Sequence, residues 1–490
     1  MQPTRRLAIA LAFSFAGYVA LFVVMHFHSL SWSDGYALAP DVLGDIVGDA
    51  ALSAPKHTTA GLRHGLLFGC VLAMLSAGYL SVLSATAQAE RAERPPRLRT
   101  LVIAAVACSL PLLVLPNLLS QDVHGYVMQG RLPVVHGANP FFVAPSAFPD
   151  DPYLPIVFWR DATTSYGPTW VYVSIALTWL VELVGPSPTV YVLAYKLLAL
   201  ALFLGCGGLI WRIASDAIPR HRSTATAIWL ISPLALIELV GNAHNDALMT
   251  LLILGGLRAA QRGRRWLAIA VLATAALTKI YALPVVALYG CVLLWQTRGV
   301  VARLRTLGIT IAIVAGVTVT LYAPWWRGIE TLHDPSGPAP LNSLLELVGF
   351  VAGATPTEIP AWLGVAMLVV VAVGGLAAAW HARTWDGGVR SATWYVLLFC
   401  CFGASWFWPW YAVFGVAFAA LAAGSTGAAR AAIALSLTAL YTYVSFAIEP
   451  HVPTLHQVRA LFVFAPPAAV WIHMVTSSIR VVSTRDKKPQ

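Results

Sequence analysis

Apolar runs of about 20 residues recur along nearly the whole chain, and they constrain the fold more than any other feature. A hydrocarbon core about 30 Å thick needs roughly 20 apolar residues for one helical crossing. Runs such as 101–119 and 361–380 are apolar on nearly every face, whereas barrel strands alternate apolar and polar residues. With 58% hydrophobic and 11% charged residues, the chain is also too apolar for a soluble protein. We predict an all-α, polytopic integral membrane protein with about 13 to 15 transmembrane or re-entrant helices, forming a single domain over residues 1–490.

Arginine-rich connections between the apolar runs predict the orientation of the chain. These connections lie at 5–6, 91–99, 212–222, 262–265 and 298–305. Positive charge of this kind marks the cytoplasmic ends of membrane helices. The same clustering accounts for the net charge of +10, so we expect no nucleic acid as a partner. The connections at 120–168 and 324–360 are then predicted to be sizeable outer loops.

One pair of apolar runs conflicts with this orientation. If 169–184 and 190–211 both crossed the bilayer fully, the basic stretch 212–222 would lie outside. We therefore expect one of the two to be short, re-entrant or interfacial. Such an arrangement is tolerated where other parts of the protein cover its backbone.

The outer loop 120–168 carries an unusual density of polar chemistry. Asp122 follows an apolar run by a few residues, so its carboxylate is expected at the outer membrane face, where a base can meet a lipid-borne substrate. Tyr126, Gln129 and Arg131 then follow on what the spacing suggests is a short helix, which ends before a turn that contains Asn139. The alternative is a loop whose charged residues are merely solvated.

A second polar group lies in the stretch GNAHNDALM between two apolar runs, where His244, Asn245 and Asp246 are adjacent. A plain turn is one interpretation. The other is the polar wall of a cavity, in which Asp246 opens the next helix and holds a cation, an acceptor hydroxyl or a neighbouring base. No second histidine or carboxylate follows at i+3 or i+4, so the stretch is not a metal site by itself.

Two further features have a functional and a structural interpretation. Lys279 lies inside an apolar segment, where charges are expensive and usually paired or functional, so phosphate binding competes with snorkelling to the interface. The aromatic stretch SWFWPWY contains Trp408, Trp410 and Tyr411, and it is either an interfacial belt or a flat platform for a sugar or an isoprenoid chain. Arg459 lies beside a later outer loop, where a cation can meet a phosphate.

The pattern D-x-x-x-Y-x-x-Q-G-R-x(5)-G-x-N-P-F over 122–141, followed by Tyr166 in SYGP, resembles polytopic glycosyltransferases of the GT-C superfamily. It is most similar to their polyprenyl-phosphate-mannose-dependent α-mannosyltransferases. The later segments GNAHND, TKIYALP and WPWY match that group in order and spacing. The resemblance covers residues 115–415 approximately.

The resemblance implies transfer of a hexose, with mannose expected, from a polyprenyl-phosphate donor to a glycan or glycolipid acceptor. The expected location is a bacterial plasma membrane with the active site facing outside, in contact with the lipid bilayer. Asp122 would act as general base, positioned by His124 or Tyr126. The departing lipid phosphate needs positive charge. The candidates are Lys279, Arg131, Arg459 and His244. Gln129, Asn139, Tyr166, Asn245, Asp246, Trp408, Trp410 and Tyr411 complete the expected substrate-binding set.

The sequence departs from the superfamily in the position of its candidate aspartate. Related enzymes commonly carry it after the first helix, often as a paired acidic motif, whereas Asp122 follows the third apolar run between Gln121 and Val123. A divalent cation as cofactor therefore stays open. So does a role for acids of an earlier connection, 29–62, which is also predicted to lie outside; these acids are Asp34, Asp41, Asp45 and Asp49.

Two other function classes remain as alternatives. A polymerase or ligase of lipid-linked polysaccharide would rely on outer-loop cations such as those between Arg327 and Asp334. A transporter or flippase of lipid-linked sugars often shows two matching halves with interrupted helices. No such internal repeat is visible in the sequence.

Overall fold

The computed structural model describes residues 3–27, 59–115, 119–332, 340–355, 358–424, 426–452 and 454–485, and this part of the chain is all-α. The α-helices of four or more residues are Pro3–Phe27, Thr59–Arg91, Leu98–Val114, Asp122–Val135, Pro168–Val184, Pro188–Ala217, Arg222–Leu230, Asp246–Gln261, Arg265–Ala276, Leu283–Gln296, Val300–Tyr322, Leu344–Val351, Ala361–His381, Trp385–Leu398, Val413–Leu421, Thr426–Ala439, Tyr441–Ile448 and Leu455–Arg485. Two π-helical stretches, Leu236–Gly241 and Phe399–Gly403, interrupt this pattern. The predicted all-α fold is confirmed.

Long apolar helices make the chain a multi-pass membrane protein. Within the described ranges, six helices are long and apolar enough to cross a bilayer, or seven if one bent pair counts as a single span. Further apolar helices of 10–17 residues accompany them. Large apolar side chains such as Leu183, Val301 and Leu376 are 72–82% exposed in the protein alone. Lipid is the solvent that accommodates so much exposed apolar surface.

The pair of runs that conflicted with the predicted orientation consists of one short and one long helix. Pro168–Val184 has 17 residues and spans about 25 Å at 1.5 Å per residue, less than a hydrocarbon core. Pro188–Ala217 has 30 residues, more than one crossing needs. The first is therefore the short member of the pair.

The apolar run 224–241 is not the single helix that its length predicts. It breaks at Pro233, because proline cannot donate a backbone hydrogen bond and forces Ser232 into an extended conformation (ψ 121°). The two parts, Pro219–Leu230 and Pro233–Gly241, meet at an angle of 43°. Nearly every side chain from 223 to 247 is buried, so this broken pair lies in the interior of the bundle.

The second half of the broken pair carries a polar segment into the bundle. It ends as a π-helix, Leu236–Gly241, and such stretches often occur at functional sites. Ala243 follows with a φ of +56°, a left-handed conformation that non-glycine residues seldom adopt. The side chains of His244, Asn245 and Asp246 come next and are all fully buried.

The helix predicted to continue to residue 119 ends at Val114 instead. It contains Pro111, and the buried ammonium group of Lys196 donates hydrogen bonds to the carbonyl oxygens of Leu112, at 2.8 Å, and Leu115. This ammonium group satisfies carbonyls that a helix end leaves without partners. A new helix, Asp122–Val135, then begins at Asp122 itself, so 120–168 is not a loop throughout. We call Asp122–Val135 the Asp122 helix.

A close approach of two helices fixes the position of the Asp122 helix. A Cβ atom at Gly130 would lie 2.2 Å from the Thr178 hydroxyl and 2.5 Å from the Ser174 carbonyl oxygen of Pro168–Val184. Gly125, on the same helix, has no atom within 4 Å of such a Cβ. Only Gly130 therefore needs to be glycine for packing.

Alanine at these two glycines is expected to have opposite effects. Gly130→Ala should destabilise the protein by about 1–3 kcal/mol because the added methyl group overpacks the helix contact. Gly125→Ala should be neutral or stabilising by up to about 1 kcal/mol, as is usual for glycine in a helix. Thermal unfolding of the purified protein in one detergent compares them, and equal melting temperatures for both variants would contradict the close approach.

Candidate functional site

Asp122 is the first residue of its helix and lies at the edge of the protein interior. Its side chain is 14% exposed, and its backbone N–H donates to the Ser120 hydroxyl at 3.3 Å. The Tyr166 hydroxyl donates to Asp122 Oδ2 at 3.0 Å. The positive end of the helix dipole favours a carboxylate here. Asp122 therefore combines a fixed geometry with partial access from outside.

Backbone contacts join the SYGP and TKIYALP segments. Gly167 N–H donates to the carbonyl of Thr278 at 3.2 Å, and Thr169 N–H donates to that of Leu277 at 3.1 Å. A Cβ at Gly167 would lie only 2.0 Å from the Leu277 carbonyl oxygen, so this approach requires glycine. The contact places Tyr166 beside Lys279.

The Lys279 ammonium group is held by one carboxylate and three aromatic rings. Its Nζ donates to Asp246 Oδ2 at 2.7 Å, and both side chains are buried. The ring centroids of Tyr166, Tyr281 and Tyr411 lie 5.4–5.7 Å from the same Nζ, within the range of cation–π attraction. Lys279 is therefore not snorkelling to the membrane surface but is fixed next to Tyr166.

His244 connects Asp122 with the bundle interior. Its Nδ1 lies 3.6 Å from Asp122 Oδ2 and 3.4 Å from the Tyr126 hydroxyl oxygen. Its Nε2 lies 3.4 Å from Glu238 Oε2. The ring of Trp410 stacks on the imidazole with centroids 4.2 Å apart and an angle of 26° between the planes. Trp410 thus covers one face of the histidine, Tyr126 meets its Nδ1, and a carboxyl oxygen lies near each of its two nitrogens.

The predicted aromatic platform extends this stack away from Asp122. Trp408 stacks on Trp410 with centroids 5.2 Å apart and planes 3° from parallel, and Phe446 stacks on Trp408 at 5.4 Å. The guanidinium of Arg459 lies 3.9 Å from the Phe446 centroid and 3.4 Å from Glu449 Oε2. Arg459 is therefore separated from the site by three stacked aromatic rings.

We call Asp122, Tyr126, Tyr166, His244, Asp246 and Lys279 the Asp122 cluster. Burial raises the pKa of the Asp122 carboxyl above its ordinary value, and the attraction of Lys279 and the Tyr166 hydrogen bond only partly offset it. The nearby charge of Asp246 raises it further. A carboxylate with a raised pKa is a stronger base than one in water. Asp122 therefore becomes protonated at a higher pH than an ordinary aspartate does.

Arg131 belongs to a different polar network. Its guanidinium donates from Nε and Nη2 to Asp151 Oδ2, at 3.1 and 3.0 Å, and from Nη1 to Glu182 Oε1 at 2.7 Å. His136 Nε2 lies 2.6 Å from the same Asp151 oxygen. Burial by itself raises the pKa of Asp151, but the hydrogen bonds from His136 and Arg131 outweigh it and lower that pKa. Two carboxylates thus engage the arginine that was expected to meet the donor phosphate.

Three other predicted substrate-binding residues lie around the Asp122 helix. His124 and Gln129 are buried on it, and the Gln129 Oε1 has no hydrogen-bond partner among the described residues. Asn139 Nδ2 donates to the Trp325 carbonyl at 2.9 Å, outside the Asp122 cluster. The Asn139 contact therefore anchors the loop that follows the helix.

Several residues considered in the sequence fall outside the described part of the chain. The acids of the connection 29–62, which are Asp34, Asp41, Asp45 and Asp49, are among them, as are His333 and Asp334 of the connection 324–360. Arg327 is described, and its Nη1 donates to the neighbouring Trp326 carbonyl on the surface.

The structure adds residues that the sequence did not single out. Tyr281 contributes a ring to the surroundings of Lys279, and its position two residues later in TKIYALP is a signal that could have been used. Asn242 Nδ2 donates to Glu238 Oε2 at 2.9 Å, and Asn242 Oδ1 accepts from the backbone N–H of Leu119 at 2.9 Å. Asn242 thereby ties the GNAHND segment to the chain just before Asp122.

Asn245 has an unusual environment for a buried amide. Both polar atoms of its side chain, and Oδ1 of Asp246, are buried and lack a hydrogen-bond partner among the residues of the described ranges. A buried amide without partners is costly, which makes these atoms candidates for contact with a polar substrate. For a metal ion the fit is poorer, since within the described chain no three His, Cys, Asp or Glu side chains are grouped to hold one.

Comparison with known proteins gives a family match over residues 17–297, more than half of the chain. The matching family model is described as alpha-(1->6)-mannopyranosyltransferase, N-terminal domain. The matched range contains all six residues of the Asp122 cluster and ends before the WPWY segment.

Individual relatives give shorter alignments. The chain is 30% identical over 172 residues to alpha-(1->6)-mannopyranosyltransferase A of Corynebacterium glutamicum, which is 34% of each chain. It is 31% identical over 212 residues to the protein of that name from Mycobacterium tuberculosis, which covers 41% of this chain and 38% of the relative. The aligned part thus spans between a third and two fifths of the length of these relatives.

Removing Arg131 is expected to reduce stability. Arg131→Met removes a buried charged partner from Asp151 and leaves His136 and the Tyr153 N–H to it, and breaking a buried pair in this way costs about 3–5 kcal/mol. Arg160→Met is the matched control, because Arg160 and Asp161 are exposed and such pairs contribute about 0–1 kcal/mol. Melting temperatures in detergent distinguish the two; a wild-type value for Arg131→Met would contradict a structural role.

Proposed function

Because the chain belongs to the alpha-(1->6)-mannopyranosyltransferase family, we propose that it transfers mannose from a polyprenyl-phosphate-linked donor to a glycan or glycolipid acceptor. The observation that carries this proposal is the Asp122 cluster. It combines a partly exposed carboxylate of raised pKa with a fixed ammonium group a short distance away. Acceptor activation and leaving-group stabilisation need these two kinds of group.

Asp122 is the general base in this proposal. The acceptor hydroxyl gives its proton to the Asp122 carboxylate while its oxygen attacks the anomeric carbon of mannose. The bond from that carbon to the lipid phosphate oxygen breaks, and its electron pair leaves with the phosphate. Tyr166 supports the role of Asp122 because its hydroxyl donates to Oδ2 at 3.0 Å and fixes the carboxylate in one orientation.

Lys279 stabilises the leaving phosphate. Its ammonium is held by Asp246 and the tyrosine rings, so no reorganisation is needed as negative charge develops. Arg131 and Arg459 have no such place in the proposal. Two carboxylates, Asp151 and Glu182, pair with Arg131, whereas one pairs with Lys279, and Arg459 lies beyond the aromatic stack.

The amide of Asn245, which has no hydrogen-bond partner in the part of the chain that the structure describes, is proposed to bind hydroxyl groups of the sugar. A site built to hydrogen-bond a hydroxyl rejects an analogue that lacks it, because the buried polar group is then left unpaired. Asn245 Oδ1 and Nδ2 offer one acceptor and two donors, a set that suits two neighbouring hydroxyls of a hexose.

The outer side of the membrane is the proposed location of the site. The connections 91–99 and 212–222 are rich in arginine, which favours the cytoplasm for that end of the bundle. The Asp122 helix follows an apolar helix whose other end adjoins 91–99, which favours the opposite face for Asp122. A lipid-linked donor can present its sugar there.

The decisive experiment measures transfer from radiolabelled polyprenyl-phosphate mannose in membranes that contain the protein. Asp122→Asn keeps the size of the side chain but removes the base, so transfer should fall about 100- to 10,000-fold at equal expression. Asp161→Asn is the matched control, an exposed aspartate in the same outer segment, and should keep wild-type transfer. Substantial transfer by Asp122→Asn would reject Asp122 as the base, and no transfer by the wild type with any lipid-linked sugar would reject the enzyme class.

A further inference from the structure

Glu238 is a buried acid that the proposed reaction does not use. It lies on the π-helix Leu236–Gly241 with its side chain fully buried. Asn242 Nδ2 donates to its Oε2 at 2.9 Å, and the Tyr443 side chain faces it from Tyr441–Ile448. An acid inside a membrane protein is expensive and usually has a function. Its position next to His244 suggests that it positions the histidine.

His244 lies between two carboxyl groups and its ring plane is held by Trp410. Nε2 faces Glu238 Oε2 at 3.4 Å, and Nδ1 faces Asp122 Oδ2 at 3.6 Å. Both separations are somewhat longer than a hydrogen bond, and catalytic contacts of this length commonly tighten in the Michaelis complex. A neutral histidine carries one hydrogen, and the group that faces each nitrogen decides which of them holds it.

We propose that Glu238 is a positioning residue for mannosyl transfer, holding the hydrogen of His244 on Nε2 so that the Nδ1 lone pair faces Asp122. This inference rests on the proposed function, in which Asp122 is the base. The Nε2 hydrogen points to Oε2 of Glu238, and Nδ1 is left as an acceptor for the Tyr126 hydroxyl and for the protonated form of Asp122. Carboxylate–histidine pairs elsewhere fix the tautomer and raise the basicity of the ring in the same way.

The arrangement accounts for the proton that the acceptor hydroxyl releases. The acceptor O–H bond breaks and Asp122 takes the proton as the new glycosidic bond forms and the lipid phosphate leaves. The protonated Asp122 carboxyl then donates a hydrogen bond to His244 Nδ1, which stabilises the proton on Asp122. After product release Asp122 loses this proton to the outside, to which it has access.

The groups around His244 keep its ring neutral. Asp122 and Tyr126 face the ring from the Asp122 helix, Glu238 faces it from the π-helix, and Trp410 covers one face. Burial of the ring and the positive charge of Lys279, which is paired with Asp246, both oppose protonation of the ring. The ring therefore stays neutral, and Glu238 decides which nitrogen holds its hydrogen.

The test compares transfer by the wild type and Glu238→Gln over a range of pH. Glutamine fills the same space, but its amide donates to Nε2 and drives the hydrogen to Nδ1, where it bonds to Asp122 and weakens the base. We expect kcat to fall about 10- to 100-fold, with KM for the donor unchanged and the acid limb of the pH profile moved to lower pH. Loss of packing alone would not move that limb. An unmoved acid limb in Glu238→Gln overturns the inference.

Glu182→Gln is the matched control, because Glu182 also accepts a tyrosine hydrogen bond, from Tyr191 at 2.7 Å, but belongs to the Arg131 network. Its pH profile per folded protein should equal that of the wild type, and the same shift in this variant would overturn the assignment to Glu238. Absence of transfer by the wild type counts against the proposed function, whereas wild-type transfer with an unmoved Glu238→Gln profile counts against Glu238 alone.

A second measurement does not depend on activity or on the folding of Glu238→Gln. Nitrogen-15 NMR of histidine-labelled wild-type protein distinguishes the two tautomers, and His244→Gln identifies the His244 signal by its loss. The inference requires the hydrogen on Nε2. A hydrogen on Nδ1 in the wild type overturns it.

Discussion

The buried ion pair between Lys279 and Asp246 is the interaction on which the rest of the site depends. An ammonium and a carboxylate in an apolar bundle are tolerated only when paired and surrounded by further polar or aromatic groups. Asp246 reaches this position because the broken helix pair at Pro233 carries the GNAHND segment into the interior. Lys279 reaches it because the chain after Arg265–Ala276 turns next to Gly167. Once the pair is formed, Tyr166 and His244 lie within contact of Asp122.

Close packing and hydrogen bonds between distant segments support this ion pair. Gly167 allows the SYGP segment to approach the Leu277 carbonyl directly, and Gly130 allows two helices to touch. Asn242 joins the segment before Asp122 to the π-helix. Stacked rings from Trp410 to Phe446 fill the remaining side of His244. These contacts fix the side chains in advance, as catalysis by positioned charges requires.

The sequence predicts the helical membrane fold well because apolar runs report directly on the lipid environment. It also predicts Asp122, His244 and Lys279 as candidate site residues, because their motifs occur in a recognisable order, and the structure brings these three together. The sequence does not predict the features that depend on contacts between distant segments. Arg131 was expected to meet a phosphate, but it pairs with Asp151 and Glu182. The residues next to Arg131 in the sequence do not indicate these partners. Likewise, the run 224–241 has the length of one span, and only its central proline indicates the break.

The central claim is that Asp122 and Lys279 face the same reacting centre. The most direct measurement is an experimental structure of the full chain in a lipid nanodisc with a phosphonate analogue of polyprenyl-phosphate mannose that cannot react. The account predicts the phosphonate within hydrogen-bond reach of the Lys279 ammonium and the anomeric carbon facing the Asp122 carboxylate. A mannosyl group bound away from Asp122, for example beside the Arg131 network or at Arg459, would contradict it.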